Sequence, residues 1–301
     1  VAGLQGCRVA GLQGCRVAGA APTWRFAAAV VASVVPLLAT RGAHVREEGE
    51  ARRLPCCRAP RGFFHDDCIR KWLATASGQP GRLGEVRLFE AATGKLDSVL
   101  TTAPDVMLDV AFDPAGQRMV AGGADGQVRV IDLASRKVTH TLGLHSDWVN
   151  AVTWDHNGSR FATASRDHTA KVFDLAANKS LVTFAGHGKN VRGVVFHPGG
   201  RELFTSGMDK KVQLWRISDG KRVRDTGFSA ELFKLARRDK VLFVPAADNR
   251  VRRYQTNDLK HLGDFSLDDW AVSVAISPDG KHLAAGGFNG QVRIWTLEDG
   301  K

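Results

Sequence analysis

The sequence predicts an all-β fold built from one repeated unit, and three observations lead to this prediction. The stretch GQVRVIDL at 126–133 returns almost unchanged as GQVRIWTL at 290–297. A large residue follows similar apolar stretches six times, at intervals of 42, 42, 42, 39 and 41 residues. These marker residues are Phe89, Ile131, Phe173, Trp215, Tyr254 and Trp295. The spacing of apolar residues about every 3.6 positions, which indicates a helix, is almost absent. A sequence period near 40 over six copies is typical of a repeat architecture.

Each unit contains short strand-like runs joined by two kinds of turn. The turn DHNG at 155–158 joins the runs WVNAVTW at 148–154 and RFATAS at 160–165, and DPAG at 113–116 is the equivalent turn of the preceding unit. A second turn carries a short side chain that accepts hydrogen bonds from backbone N–H groups. The turn residues are Asp125, Asp167, Asp209, Asp248 and Asn289. Each unit therefore predicts four short antiparallel strands.

Sheets of this size do not bury both faces when they stand alone. Stacking them side by side covers the faces, and bending the stack into a ring leaves no exposed sheet at either end. The sequence therefore predicts a β-propeller over residues 63–301, with six repeats visible.

Residues 63–301 resemble the WD-repeat family. The phrase FAGHGKNVRGVVFHPGGRELFTSGMDKKVQLWRI and the run SPDGKHLAAGGFNGQVRIW carry the resemblance. Seven blades are the commonest ring in this family, so six repeats imply an incomplete seven-bladed ring. The phrases LATASGQPGRLGEVRLFEAATGKL and GGADGQVRVIDL are similar to repeat proteins of planctomycete-type bacteria, which often carry a c-type cytochrome domain. The chain has no Cys-x-x-Cys-His, so no covalent haem site is assigned.

The resemblance also implies a hydrogen-bond network within each complete repeat. The fourth repeat has all members of this network: His187, Thr205, Asp209 and Trp215. The third repeat has His145, Thr163 and Asp167, but Phe173 replaces the Trp and offers no N–H. The fifth repeat, at about 226–260, has no Gly-His and is interpreted as a degenerate blade with Asp248 in its turn.

The function predicted is a non-catalytic scaffold for protein–protein interaction. No nucleophile elbow, zinc-protease motif or phosphate-binding Gly-rich loop occurs in the sequence. We expect no cofactor, no metal and no nucleic-acid partner, and either a monomer or a component of a larger assembly. The alternatives are a propeller enzyme, of the lactonase-like hydrolase or quinone-dependent dehydrogenase type, and an accessory module of a c-type cytochrome protein.

The predicted partner-binding residues lie in loops that the WD-repeat arrangement would bring to one face. Aligning the loops before the innermost strands makes 105–106, 147–148, 189–190 and 269–270 equivalent. Trp and Arg are enriched among interface hot spots, which favours this face. The candidates are Trp148, Asp147, Trp270, Asp269, Arg82, Arg166, His168 and Asn190, with Arg82 in a long loop at 78–84. The alternative is that both Trp rings pack against neighbouring blades.

Residues 1–62 are interpreted as a basic, poorly structured leader that begins with a tandem octamer. Up to Lys71 there are 11 Lys and Arg against 5 Asp and Glu, a net +6 of the chain's +11. The apolar run at 26–39 is too short to span a bilayer but matches the core of a secretory signal, so export and a cytoplasmic location both stay open. Cys57, His65 and Cys68 lack a second ligand pair, so no zinc site is predicted.

Overall fold

The protein folds into six small antiparallel sheets that stand as blades in a ring. The computed structural model describes residues 72–91, 93–277 and 279–297, and these contain twenty-two strands in the six sheets. The predicted all-β propeller is thereby confirmed. Within the described ranges no helix has the length and apolar character needed to cross a membrane.

The first three blades cover residues 72–184. The first blade contains β1 (Trp72–Gln79), β2 (Leu83–Glu90) and β3 (Leu96–Ala103). The second contains β4 (Met107–Phe112), β5 (Arg118–Gly123), β6 (Gln127–Asp132) and β7 (Lys137–Gly143). The third contains β8 (Val149–Trp154), β9 (Arg160–Ser165), β10 (Ala170–Asp174) and β11 (Lys179–Phe184).

The last three blades cover residues 191–296. The fourth blade contains β12 (Val191–Phe196), β13 (Glu202–Gly207), β14 (Lys211–Arg216) and β15 (Arg222–Gly227). The fifth contains β16 (Ala236–Arg238), β17 (Val241–Ala246), β18 (Arg250–Gln255) and β19 (His261–Ser266). The sixth contains β20 (Ala271–Ile276), β21 (His282–Gly287) and β22 (Val292–Thr296).

The two terminal blades differ from the expected four strands. Among the described residues the first and sixth sheets have three strands each, and the other four sheets have four. The start of the predicted propeller at 63–71, the apolar run at 26–39 and the Cys57, His65 and Cys68 group all lie outside the described residues. No seventh blade occurs within the described ranges. The degenerate fifth repeat still forms a complete four-stranded sheet.

The hydrophobic core lies between adjacent blades. Val128 and Val130 of the second blade are fully buried against Phe161 of the third. Because successive side chains of a strand point to opposite faces, both faces of a middle blade reach a neighbour. On the sixth blade, by contrast, the equivalent Val292 and Ile294 are 68% and 48% exposed.

The innermost strands of the second, third, fourth and sixth blades start with an irregularity that leaves one residue out of the pairing. The pairing skips Leu108 in β4, Asn150 in β8, Arg192 in β12 and Val272 in β20. Phe233 takes this place in the fifth blade, because the residue before it, Leu232, bridges Ala246. We call these five residues the channel mouth: Leu108, Asn150, Arg192, Phe233 and Val272.

The long loop expected at 78–84 is instead the end of a β-hairpin. Gly78 pairs with Gly84 and Gln79 with Leu83, so only three residues form the turn. The two strands continue through the Gly residues because Gly78 adopts a φ of 149°, which other residues rarely adopt. Arg82 is therefore at the tip of a hairpin rather than in a loop.

Candidate interaction face

One face of the ring carries the loops that lead into the innermost strands and the turns between the second and third strands; we call it the upper face. Five equivalent backbone hydrogen bonds hold loop and turn together. Their N–H donors and carbonyl acceptors are Ala124 to Val106, Arg166 to Trp148, Met208 to Asn190, Ala247 to Glu231 and Phe288 to Trp270. The loops that the sequence aligns are thus equivalent in space.

Three of these loops share an aspartate that fixes the residue after it. Oδ1 of Asp105, Asp147 and Asp269 accepts the N–H of the next residue at 2.7, 2.8 and 2.8 Å. A short carboxylate suits this turn because it reaches a backbone N–H one residue away. The acid beside each tryptophan therefore shapes the loop on which the ring stands.

Trp148, Asp147 and Arg166 form one cluster on the third blade. The Arg166 guanidinium stands 4.8 Å from the centre of the Trp148 ring, within the range of a cation–π contact. It also lies 3.5 Å from the Asp147 carboxylate. The half-buried ring packs on Val106 and Leu108 of the second blade. Trp148 thus takes part in blade packing and remains partly accessible.

Trp270 stands at the equivalent place on the sixth blade and is far more exposed. Its ring is 44% exposed and lies 5.4 Å from the ring of Phe288, which is 61% exposed. The equivalent pair of the second blade, Val106 and Ala124, is buried. The sixth blade therefore presents two adjacent aromatic rings to solvent.

The other sequence-predicted residues of this face are not in one cluster. Arg82 is exposed at its hairpin tip, where the N–H of Gly81 donates to Asp105 at 2.8 Å. His168 is exposed and has a φ of 68° in the turn after Asp167. Asn190 is half-buried, and its carbonyl accepts a turn hydrogen bond. These residues share the upper face, but among the sequence-predicted set the recorded contacts within the described residues join only Asp147, Trp148 and Arg166, and Asp269 with Trp270.

The fourth blade contains the complete hydrogen-bond network. His187 Nδ1 lies 2.9 Å from Asp209 Oδ2, and its Nε2 lies 2.7 Å from Thr205 Oγ1. Trp215 Nε1 donates to the same hydroxyl at 2.8 Å. Burial acts to raise the pKa of Asp209, but the hydrogen bond and charge of His187, together with the N–H groups of Gly188 and Lys211, lower it overall. Gly186 is required here, because a Cβ would lie 2.4 Å from the Trp215 ring.

The third blade contains the network without its indole. His145 lies 2.8 Å from Asp167 and 2.7 Å from Thr163. Burial lowers the pKa of His145, although the nearby Asp167 carboxylate acts in the opposite direction. Leu144 stands where the fourth blade has Gly186, and it packs against Phe173. Loss of the indole and loss of the glycine therefore occur together.

In the second and fifth blades an arginine takes the place of the missing histidine, which the sequence interpretation did not foresee. Arg129 pairs with the turn acid Asp125 at 2.6 Å, and both side chains are largely buried. Arg252 pairs with Asp248 in the same way, and Ser229 donates to Asp248 at 3.0 Å. The signal in the sequence was an Arg four residues after the turn acid.

The opposite, lower face carries an open cavity of about 950 Å³ between the third and fourth blades. His156, Arg160, His197 and Glu202 contribute to its lining. His197 lies 3.8 Å from Glu202, and Arg160 is held by Asp155 at 2.9 Å. Within residues 72–91, 93–277 and 279–297, no group of three or more His, Cys, Asp or Glu is placed to hold a metal ion.

The sheets, the bulged inner strands and the repeated His–Asp–Thr contacts define a β-propeller built from homologous blades. A family model described as "WD domain, G-beta repeat" matches residues 95–132, 136–174, 178–216 and 261–296, about half of the chain. The chain therefore belongs to the WD40 repeat family. Each match runs from the outermost strand of one blade to the third strand of the next. A comparison with curated proteins found no match.

Proposed function

We propose that this protein is a non-catalytic interaction scaffold that binds a protein partner on its upper face. The observation that carries the proposal is the cluster of Trp148, Arg166 and Asp147, repeated in altered form by the exposed rings of Trp270 and Phe288. Rigid blades that hold variable loops are suited to binding. Membership of the WD40 family supports this class of function.

The two aromatic positions suit a protein surface rather than a small solute. Trp and Arg supply large contact area together with directional polar groups, and they dominate the binding energy of many interfaces. Exposed apolar rings with polar neighbours are typical of interaction surfaces. The candidates Arg82, His168, Asn190 and Asp269 would then form the polar rim around these anchors.

A photo-crosslinking experiment tests which face binds. A photoreactive residue is placed at His168 on the upper face or at His156 on the lower face; both are exposed and belong to the third blade. We expect a specific crosslinked protein from the His168 position and little from His156. The reverse pattern would contradict the proposal.

The partner identified in this way then allows the anchors to be measured. Trp148→Ala and Trp270→Ala should weaken its binding by about tenfold or more each, as hot-spot truncations do. Leu181→Ala is the matched control, because this residue is 39% exposed on an outer strand away from the upper face. Unchanged affinity in both Trp variants would remove the upper face as the site.

Two narrower possibilities need their own tests. The likeness to planctomycete-type repeat proteins would make a protein with a c-type cytochrome domain one class of partner, and haem staining of the crosslinked product tests it. An enzyme of the lactonase-like or quinone-dependent dehydrogenase type would turn over a lactone or sugar in a substrate panel with added Ca²⁺. We expect no turnover.

A further inference from the structure

The channel mouth contains a cation without an acidic partner. Arg192 is the bulged residue of β12, directly below the upper-face loop that contains Asn190. Its side chain is largely withdrawn from solvent, and it forms no ion pair with any residue that the structure describes. Such an arrangement is unusual, because a buried charge is normally paired.

The contacts that Arg192 does make are weak. One terminal nitrogen, Nη2, points to the sulfur of Met208 at 3.4 Å, and thioether sulfur is a poor acceptor. The guanidinium stands 5.8 Å from the centre of the Phe233 ring. Its Nε is buried and has no hydrogen-bond partner among the described residues. Burial therefore lowers the pKa of Arg192, and Arg166 acts in the same direction, whereas Glu231 raises it.

The fold does not need a cation at this position. The other four members of the channel mouth are neutral: Leu108, Asn150, Phe233 and Val272. Asn150 donates to the carbonyl of Val191 at 2.8 Å, so an uncharged side chain serves well at the equivalent place. Desolvating this guanidinium costs free energy that the Glu231 carboxylate and the Phe233 ring offset only in part.

Two nearby cations already have acidic partners. Lys234, one residue beyond Phe233, lies 2.6 Å from Asp109. Arg166 on the upper face has Asp147 beside it. Arg192 is thus the unpaired cation at the centre of the proposed binding face, within the part of the chain that the structure describes.

We propose that Arg192 is an anion-recognition residue. It binds the oxyanion of an acidic side chain in an extended segment of the protein partner. The proposal rests on the proposed function and specifies its partner. A guanidinium offers parallel N–H donors that match a carboxylate or a phosphate. Met208 can yield its contact because a thioether side chain adapts easily. The Phe233 ring lies beside the guanidinium and would contact the apolar stem of the bound side chain.

Calorimetric titration with short peptides tests the proposal on the intact protein. The probes are hexaglutamate, hexalysine and a glutamate peptide with one phosphoserine. We expect hexaglutamate but not hexalysine to bind, and Arg192→Gln to weaken hexaglutamate about tenfold or more, as loss of a charge-assisted pair implies. Arg222→Gln, on the outer strand β15, removes the same charge from an exposed position and should change affinity less than about twofold, as exposed charges do.

The phosphoserine peptide distinguishes the two sources of the oxyanion. Binding tighter than hexaglutamate, and lost in Arg192→Gln, would assign the site to a phosphorylated residue. Equal binding of both peptides would assign it to a carboxylate. Equal affinity of wild type and Arg192→Gln for every probe would overturn the proposal.

Stability provides a second readout that a merely structural arginine would not give. Arg192→Met keeps the apolar stem and removes the unpaired charge, so we expect the melting temperature to rise by about a few degrees while hexaglutamate binding is lost. A fall in melting temperature with unchanged binding would overturn the proposal. In that case the proposed function is tested separately, by asking whether Trp148→Ala abolishes the crosslink from position 168. If it does, the scaffold function stands and only recognition of an acidic segment by Arg192 is excluded.

Discussion

Lys234 Nζ lies 2.6 Å from Asp109 Oδ1, although these residues belong to the fifth and second blades and are 125 positions apart. Each follows a member of the channel mouth, so the pair joins equivalent positions of two non-adjacent blades. The other carboxylate oxygen of Asp109 accepts the N–H of Val152 in the third blade at 2.8 Å. One fully buried carboxylate therefore connects three blades.

Breaking this pair should destabilise the whole ring. Lys234→Met leaves the buried Asp109 carboxylate without its cation, which should cost about 3 kcal/mol in the free energy of unfolding. The double variant Asp109→Asn, Lys234→Met should recover part of this loss. Urea unfolding measures both. The control is Lys240→Met on an exposed turn, and an equal loss in that variant would show that the pair contributes nothing.

The third blade should accept the missing indole only together with a glycine. Phe173→Trp alone should destabilise the protein by about 1–3 kcal/mol, because Leu144 occupies the space that the indole needs. Leu144→Gly alone should also destabilise it by opening a cavity. The double variant should be more stable than either single one, since the introduced indole could then donate to Thr163 as Trp215 donates to Thr205.

A double-mutant cycle measured by thermal unfolding gives this coupling. Gly186→Leu in the fourth blade is the reverse experiment, and it should be strongly destabilising because of the Trp215 ring. Additive effects of the two changes in the third blade would contradict the proposed coupling.

The turn acids should differ in the stability they contribute. Asp209→Ala leaves the buried ring of His187 and the N–H groups of Gly188 and Lys211 without their acceptor, at a cost of about 1–3 kcal/mol. Asp248→Ala should cost less, because Arg252 keeps its contact with the Phe228 ring at 5.6 Å. The loss should still be measurable. Equal shifts in melting temperature would contradict this order.

Stability should fall on mild acidification because His145 is buried as a neutral ring. Its pKa in the folded state lies below the value of about 6.5 for an unfolded histidine, so the unfolded state binds more protons in this range. The contribution is therefore fully present above about pH 6.5 and is lost as the pH falls through the folded pKa. Melting temperatures from about pH 7.5 to 5.5 measure the slope.

The variant His145→Gln should flatten this slope, and His140→Gln, at a half-buried position of the outer strand β7, is the control. Some slope should remain, because burial also lowers the pKa of His197. A wild-type melting temperature that does not change with pH would contradict the prediction.

The sequence was sufficient for the propeller because each blade repeats its own pattern, and the marker residues report that pattern at a regular interval. The residues of the fourth-blade network were recognisable for the same reason. Contacts between unlike repeats leave no such signal: Asp109 and Lys234 occupy equivalent positions but share no motif, and their pairing depends on the width of the channel. Arg192 likewise gave no signal, because the lack of a partner is visible only in three dimensions.

Some local features were predictable in principle but were not recognised. In the two blades that lack the histidine, Arg129 and Arg252 each follow the turn acid, Asp125 or Asp248, by four residues. The linked change of Gly186 to Leu144 and of Trp215 to Phe173 is likewise visible in two aligned repeats. The sequence at 78–84 indicates a loop because Gly and Pro are typical of loops, although the paired strands extend to Gln79 and begin again at Leu83.

The exposed side chains of Val292 and Ile294 have a consequence for how the molecule opens. A blade that is covered on both sides exposes two apolar interfaces when it leaves the ring. When β22 opens, it exposes little additional apolar surface, because most of its side chains are already in contact with water. Amide protons of β22 should therefore exchange through small local openings, long before those of β6, whose valines are fully buried. Because the ion pair between Asp109 and Lys234 joins the second and fifth blades, we expect the blades from the second to the fifth to stay together while the sixth blade opens.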